Sequence, residues 1–117
     1  MQVTITAEGF EPSAELQKYS KHKITEVTRR VPLSLRADAT YVVHFLHNHK
    51  KSGDIKTCTL VLTLSDVEFH SQETTQHMYA ALDIATADIR DQLRAYAAER
   101  RRANRRARLA QGSEITE

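Results

Sequence analysis

From Thr75 to Arg108 the chain runs for more than thirty residues without a Gly or a Pro. Ala, Leu, Arg and Gln dominate the stretch, and these are strong helix formers. Placing Arg90 at zero and advancing ~100° per residue sorts the side chains into faces. Met78, Leu82, Ile89, Leu93 and Tyr96 share one arc of ~60°. Arg90, Arg94, Arg101, Arg105 and Arg108 share a second arc of ~60°, beginning about a quarter turn further round. One long helix therefore carries an apolar seam beside an arginine rail. The seam has to be buried against something, and burying it turns the rail outward. The remainder of the chain has to supply the surface on which the seam packs.

That remainder reads as β-α-β-β-β. Val3, Ile5 and Ala7 alternate with Thr4 and Thr6, the period of a half-buried strand, and Gly9 ends it. A helix is predicted from about Pro12 or Ser13 to about Arg30, with Glu11 and Glu15 near its positive end and Pro32 stopping it. Leu16, Tyr19, Ser20, Lys23, Ile24, Val27 and Val31 lie towards one side of that helix. Lys18, His22 and Arg29 fall within ~40° of one another on another side. Leu33 to Asp38 is a connection. Ala39 to His47 is β-rich, Asn48 to Lys56 reads as a polar turn, and Thr57 to Leu64 alternates, with Leu60, Leu62 and Leu64 facing one way. Ser65-Asp66 makes a short turn before a last strand at Val67 to Ser71. Short connections make these three strands an antiparallel meander.

A sheet with one apolar face and two amphipathic helices predicts an α+β fold. It is a two-layer β-α-β-β-β-α sandwich, a four-stranded sheet with both helices packed on one face and the other face wet. At 117 residues the chain has the length of one domain. We expect that domain over residues 1–110, a basic helix extension from about residue 97, and a flexible tail over 111–117. Self-repulsion among the arginines favours an extension that becomes fully ordered only on a polyanion.

Composition excludes several classes. No apolar run approaches the length that crosses a bilayer. Met1 opens almost directly onto a strand, which leaves no room for a signal or transit segment. The single cysteine, Cys58, cannot form an internal disulfide, so a reducing, cytosolic setting is expected. Three scattered glycines build no phosphate loop. The net charge is only +2, yet eight of the eleven arginines lie between Arg90 and Arg108, against two acids, Asp91 and Glu99. Local excess matters more than the total when the partner is a polyanion.

The segment Met78-Tyr79-Ala80-Ala81-Leu82-Asp83, with Gln92-Leu93-Arg94 at the right spacing, resembles the ribosome hibernation-promoting factor family, which includes the ribosome-associated inhibitor and the sigma-54 modulation proteins. Leu16-Gln17-Lys18-Tyr19 followed by His22-Lys23-Ile24 is similar to that family's first-helix motif. Val3-Thr4-Ile5-Thr6-Ala7-Glu8-Gly9-Phe10-Glu11 resembles its first strand and exit. The likeness covers about residues 1–97. It implies the same β-α-β-β-β-α fold. It also implies binding to the small ribosomal subunit near the decoding centre, where tRNA and messenger RNA are excluded from idle ribosomes in stationary phase or stress. Carried over by position, the RNA contacts are His22 and Lys23 in the first helix and Arg90 and Arg94 in the second. The chain departs from the family where Asp88 and Asp91 replace residues that are often basic, and where His22 replaces a common Lys. The family's long forms add a C-terminal dimerisation domain for which this chain has no room, so it reads as a short form.

The candidate RNA-binding residues are thus Lys18, His22, Lys23, Arg29, Arg90, Arg94, Arg101, Arg105 and Arg108. A solvated helix face is the bland alternative for the rail, but solvated faces usually mix signs, and Arg100-Arg101-Arg102 with Arg105-Arg106 does not. Guanidinium groups suit phosphates because they bind bidentately. Lys18, His22 and Arg29 could equally be ordinary surface. Lys50 and Lys51 could touch a phosphate from the turn. His44 and His47, three apart in a strand, point to opposite faces, which argues against a metal reading that includes His49. Cys58 has no paired His or acid and reads as a small strand residue rather than a nucleophile. Tyr79 and Tyr96, at apolar-arc spacing, read as core. No enzyme constellation, cofactor or small-molecule substrate is indicated. The expected partners are the small subunit, its rRNA and the whole ribosome, with no membrane and a monomeric chain. The alternative is a general module for double-stranded or structured RNA, which generic duplex would displace.

Overall fold

The computed structural model describes residues 1–50, 53–65 and 67–115. Four strands, β1 (Gln2–Glu8), β2 (Thr40–Lys50), β3 (Gly53–Leu64) and β4 (Val67–Thr75), form one sheet in the order β1-β2-β3-β4. Two helices, α1 (Ala14–Thr28) and α2 (Met78–Ile115), pack on one face, and a short 3-10 helix spans Leu33–Asp38. The α+β architecture expected from periodicity is the one observed.

The sheet is mixed. β2, β3 and β4 form the antiparallel meander, with Tyr41 opposite Leu62, Phe45 opposite Cys58 and Leu62 opposite Phe69. β1 runs parallel to β2, with Val3 beside Tyr41 and Ile5 beside Val43. A parallel neighbour needs a crossover, and α1 supplies it. The register puts Tyr41, Val43, Phe45, Cys58, Leu60, Leu62 and Leu64 on the covered face, all 1% exposed or less. Onto that face α1 lowers Leu16, Ile24 and Val27, and α2 lowers Leu82, Ala85, Ile89 and Leu93. Burying each large aliphatic side chain contributes roughly 1.5–3 kcal/mol, and this seam fixes the rotation of α2 about its own axis.

Local chemistry sets the boundaries. Ser13 caps α1, its hydroxyl accepting from the Leu16 amide at 3.0 Å. The helix therefore starts at Ala14, with Pro12 outside its first turn, and it ends at Thr28, short of the expected Arg30. The chain then leaves through Arg36, whose guanidinium donates to the carbonyls of Val31 at 3.0 Å and Arg29 at 2.8 Å. Those carbonyls lie past the end of α1, where no helical amide reaches them. Buried Ser20 and Thr86 donate to the carbonyls of Leu16 and Leu82, one turn back. Gly9 has φ +87°, and a Cβ there would collide with the carbonyl oxygen of His47.

Several expectations need correction. The polar stretch Asn48 to Lys56 is mostly strand, because β2 and β3 continue pairing out to Lys50 and Gly53. Lys51, Ser52 and Asp66, placed in turns by the sequence, lie outside the described residues, as does the side chain of Lys50. β4 runs on to Thr75, and α2 begins at Met78 rather than Thr75. α2 continues past Tyr96 as far as Ile115.

Candidate nucleic-acid interface

The rail is presented as its spacing requires. Arg90, Arg94, Arg101, Arg105 and Arg108 are all exposed. Among the described residues only Arg94 of these five has a carboxylate partner, Asp91 at 4.0 Å. The other arginines of the extension are engaged. Glu99 accepts from Arg106 at 3.0 Å and from Arg102 at 3.2 Å. Those two guanidiniums hold its carboxyl below the usual carboxylate range, Arg106 contributing most. Arg100 folds back over the Tyr96 ring, 5.8 Å from its centroid, and donates to the Tyr96 hydroxyl at 3.4 Å.

Lys18 and His22 on α1, and Arg29 at its C-cap, are exposed. His22 lies 3.0 Å from Glu26 on the same helix face. Lys23 is half-buried, and its ammonium sits 3.6 Å from Asp83 of α2. The same carboxylate accepts from the Tyr19 hydroxyl at 2.6 Å. That hydrogen bond, with burial, pushes the Tyr19 phenol up to about 12. Tyr19, Lys23 and Asp83 therefore clamp α1 to α2. Their place in the two motifs has a structural reason, and Lys23 is a partly neutralised cation. The Tyr79 ring lies 5.0 Å from Tyr19 but is 43% exposed, so it covers the clamp rather than filling the core. Tyr96 is half-buried, edge-on to Phe69 at 5.5 Å.

Between the helices the structure gathers cations that periodicity did not. One open groove of about 400 Å³ is lined by Lys23, Glu26, Arg29, Arg30, Asp83 and Arg90 among others. A second, of about 420 Å³, is lined by Arg30, Arg36, Arg100, Arg101 and Asn104 with their apolar neighbours. Arg30 lines both, so the two grooves adjoin along the α1–α2 seam as one basic trough with Arg30 between its halves. Of the candidates, Lys23, Arg29, Arg90 and Arg101 meet there. Lys18 and His22 stand apart on α1, and Arg94, Arg105 and Arg108 continue along α2. Sequence reasoning missed Arg30, Arg36 and Arg100. Arg30 adjoins Arg29 at the end of α1 and was within reach of the pattern. Arg36 sits in an irregular connection, where spacing carries no signal.

Other candidate chemistry finds no geometry. His44 hydrogen-bonds Thr6 at 2.7 Å on the open sheet face, whereas on the helix side His47 lies 4.0 Å from the His49 ring and edge-to-face with Phe10 at 6.0 Å. Among the described residues no three His, Cys, Asp or Glu side chains gather as a metal site. Cys58 is buried, and burial pushes its thiol up to about 12, which keeps it from the reactive thiolate. Among the described residues no helix is long and apolar enough to cross a membrane.

Comparison with known proteins fits this picture. The chain is similar to a ribosomal subunit interface protein from Coxiella burnetii, with 21% identity and a TM-score of 0.66 over 84% of this chain and 99% of that one. It is also similar to the N-terminal domain of Thermus thermophilus Protein Y, with 15% identity and a TM-score of 0.70 over 82% of this chain and 99% of that one. At those identities the likeness establishes the fold. No curated protein gives a significant sequence match. The family model described as sigma 54 modulation protein / S30EA ribosomal protein matches residues 3–101, which takes in both motifs and most of the basic trough. The chain belongs to the sigma 54 modulation protein / S30EA ribosomal protein family.

Proposed function

We propose that this protein binds the small ribosomal subunit near its decoding centre and blocks tRNA and messenger RNA on idle ribosomes, as a cytosolic, monomeric hibernation factor of stress and stationary phase. The observation that carries the reading is the pair of adjoining basic grooves along α1 and α2, which share Arg30 and run into the exposed rail of Arg90, Arg94, Arg101, Arg105 and Arg108. Arginine fixed on a packed helix offers phosphate a preorganised bidentate donor. Paired rRNA hides its base edges, so the contact is to shape and backbone. Inhibition is steric: the domain occupies space that tRNA and messenger RNA need, and no chemical step is required. A similar chain described as a ribosomal subunit interface protein supports the same partner.

The test is co-sedimentation with purified small subunits across a salt series. Wild-type protein is expected to pellet at low salt and to be released steeply as salt rises, because each neutralised phosphate returns counterions to solution. Arg90→Glu with Arg94→Glu is expected to abolish pelleting without unfolding the domain. Absence of salt-sensitive pelleting by the wild type would overturn the proposal.

A further inference from the structure

α2 does not stop where the family body stops. The family match ends at residue 101. The two similar solved chains are matched over 99% of their own length yet leave about a sixth of this chain uncovered. Beyond Arg101 the helix continues to Ile115, a further reach of about 20 Å at 1.5 Å per residue. Residues 101–111 are all exposed, and the molecule measures 72 Å along its longest axis against 26 Å across. This rod supports nothing in the core, so its sequence answers to something outside.

Its charge has a definite arrangement. Arg101, Arg105 and Arg108 continue the rail on one flank. Arg102 and Arg106 form a second flank, about 110° round the helix, where Glu99 binds both. No aromatic residue follows Tyr96, so the rod has nothing on which unpaired bases could stack. Leu109 is the one large apolar side chain described beyond Arg101, too little for the apolar anchor cluster of a protein interface. Two rows of guanidinium without stacking rings or an apolar centre complement two rows of phosphate.

We propose that the rod beyond Arg101 is a second RNA-docking element, lying between the two phosphate rows of a paired RNA segment outside the footprint of the family body. The inference rests on the ribosome-binding reading for its setting, and on the rod's own geometry for its ligand. Glu99 holds Arg102 and Arg106 in place until phosphates replace it.

The experiment uses the full-length chain in two variants, Arg101→Gln with Arg105→Gln and Arg108→Gln, and Arg102→Gln with Arg106→Gln. Glutamine keeps the helix, which circular dichroism verifies. Binding is measured across a salt series to purified small subunits, to an RNA hairpin and to a single strand of the same length. On subunits and hairpin, the slope of log Kd against log salt is expected to become shallower by about two to three for the triple variant and about one to two for the double. On the single strand both changes are expected to be smaller. Unchanged slopes on the hairpin overturn the proposal, as does an equal loss on the single strand. A loss on subunits with the hairpin unaffected would mean that the rod docks on protein, and overturns it too. If the wild type fails to bind subunits, the ribosome reading falls, and the rod is judged on the hairpin alone.

Discussion

Replacing Tyr19 with Phe removes one oxygen and tests the clamp that spaces α1 from α2. The ring remains against Tyr79, so packing is preserved and only the 2.6 Å hydrogen bond to Asp83 is lost. A phenol held protonated to about pH 12 instead of 10 carries a differential interaction of roughly 2.7 kcal/mol. Asp83 is 46% exposed and keeps Lys23 at 3.6 Å, and solvent screens the interaction. Destabilisation at neutral pH is therefore expected nearer about 1 kcal/mol. The folded-state pKa is the raised one, so the contribution is complete below the unfolded value of 10 and is lost as pH climbs towards about 12. Urea unfolding of wild type and variant, at neutral pH and at about pH 11, reads it directly, with most of the gap expected to be lost at the higher pH. Burial also raises the Tyr41 phenol, but both proteins share that loss, and it cancels in the difference. A gap that is the same at both pH values would refute an anionic Asp83 as the acceptor of the Tyr19 proton.

Gly9→Ala forces a side chain into positive φ and against the His47 carbonyl, and a loss of at least about 1–3 kcal/mol is expected in thermal or urea unfolding. Leu93→Ala empties the last fully buried position of the α2 seam; unfolding should be easier by about 2–5 kcal/mol, with a cavity as the cause. Glu99→Gln releases Arg102 and Arg106 from their carboxylate. The variant should hold hairpin RNA more tightly at low salt, and the same gain should appear in the wild type as pH falls through the lowered pKa of Glu99. Titration of hairpin affinity against pH checks both.

Much of the fold was legible because its period is strong. The alternation of Leu60, Leu62 and Leu64 with Val61 and Thr63, and the seam from Met78 to Tyr96, each identify a buried face without reference to any partner. Parallel pairing of β1 with β2 was not legible, since strand order depends on how a crossover packs rather than on any residue within it. The long hairpin arms were misread as a turn because Asn48, His49 and Lys56 are polar; backbone pairing across the ladder outweighed their low propensity. Tyr79 shows the limit of a helical wheel. It sits beside the apolar arc, yet its neighbour is the Tyr19 ring at the surface rather than the sheet. For the site, the α2 rail was readable from spacing alone. The trough was not, because Arg30, Arg36 and Arg100 come from separate parts of the chain that only the packed fold brings together.

α2 is the last element among the described residues, and from 101 to 111 every residue of it is exposed. Beyond Asn104, the last α2 residue to line a groove, the helix can be lengthened or cut without opening a hole in the body. Each added turn extends the molecule's grasp by about 5.4 Å, at almost no structural penalty. Reach and stability are thus separately adjustable in this architecture. Among proteins sharing one body, the length of this helix can therefore vary without cost to the core.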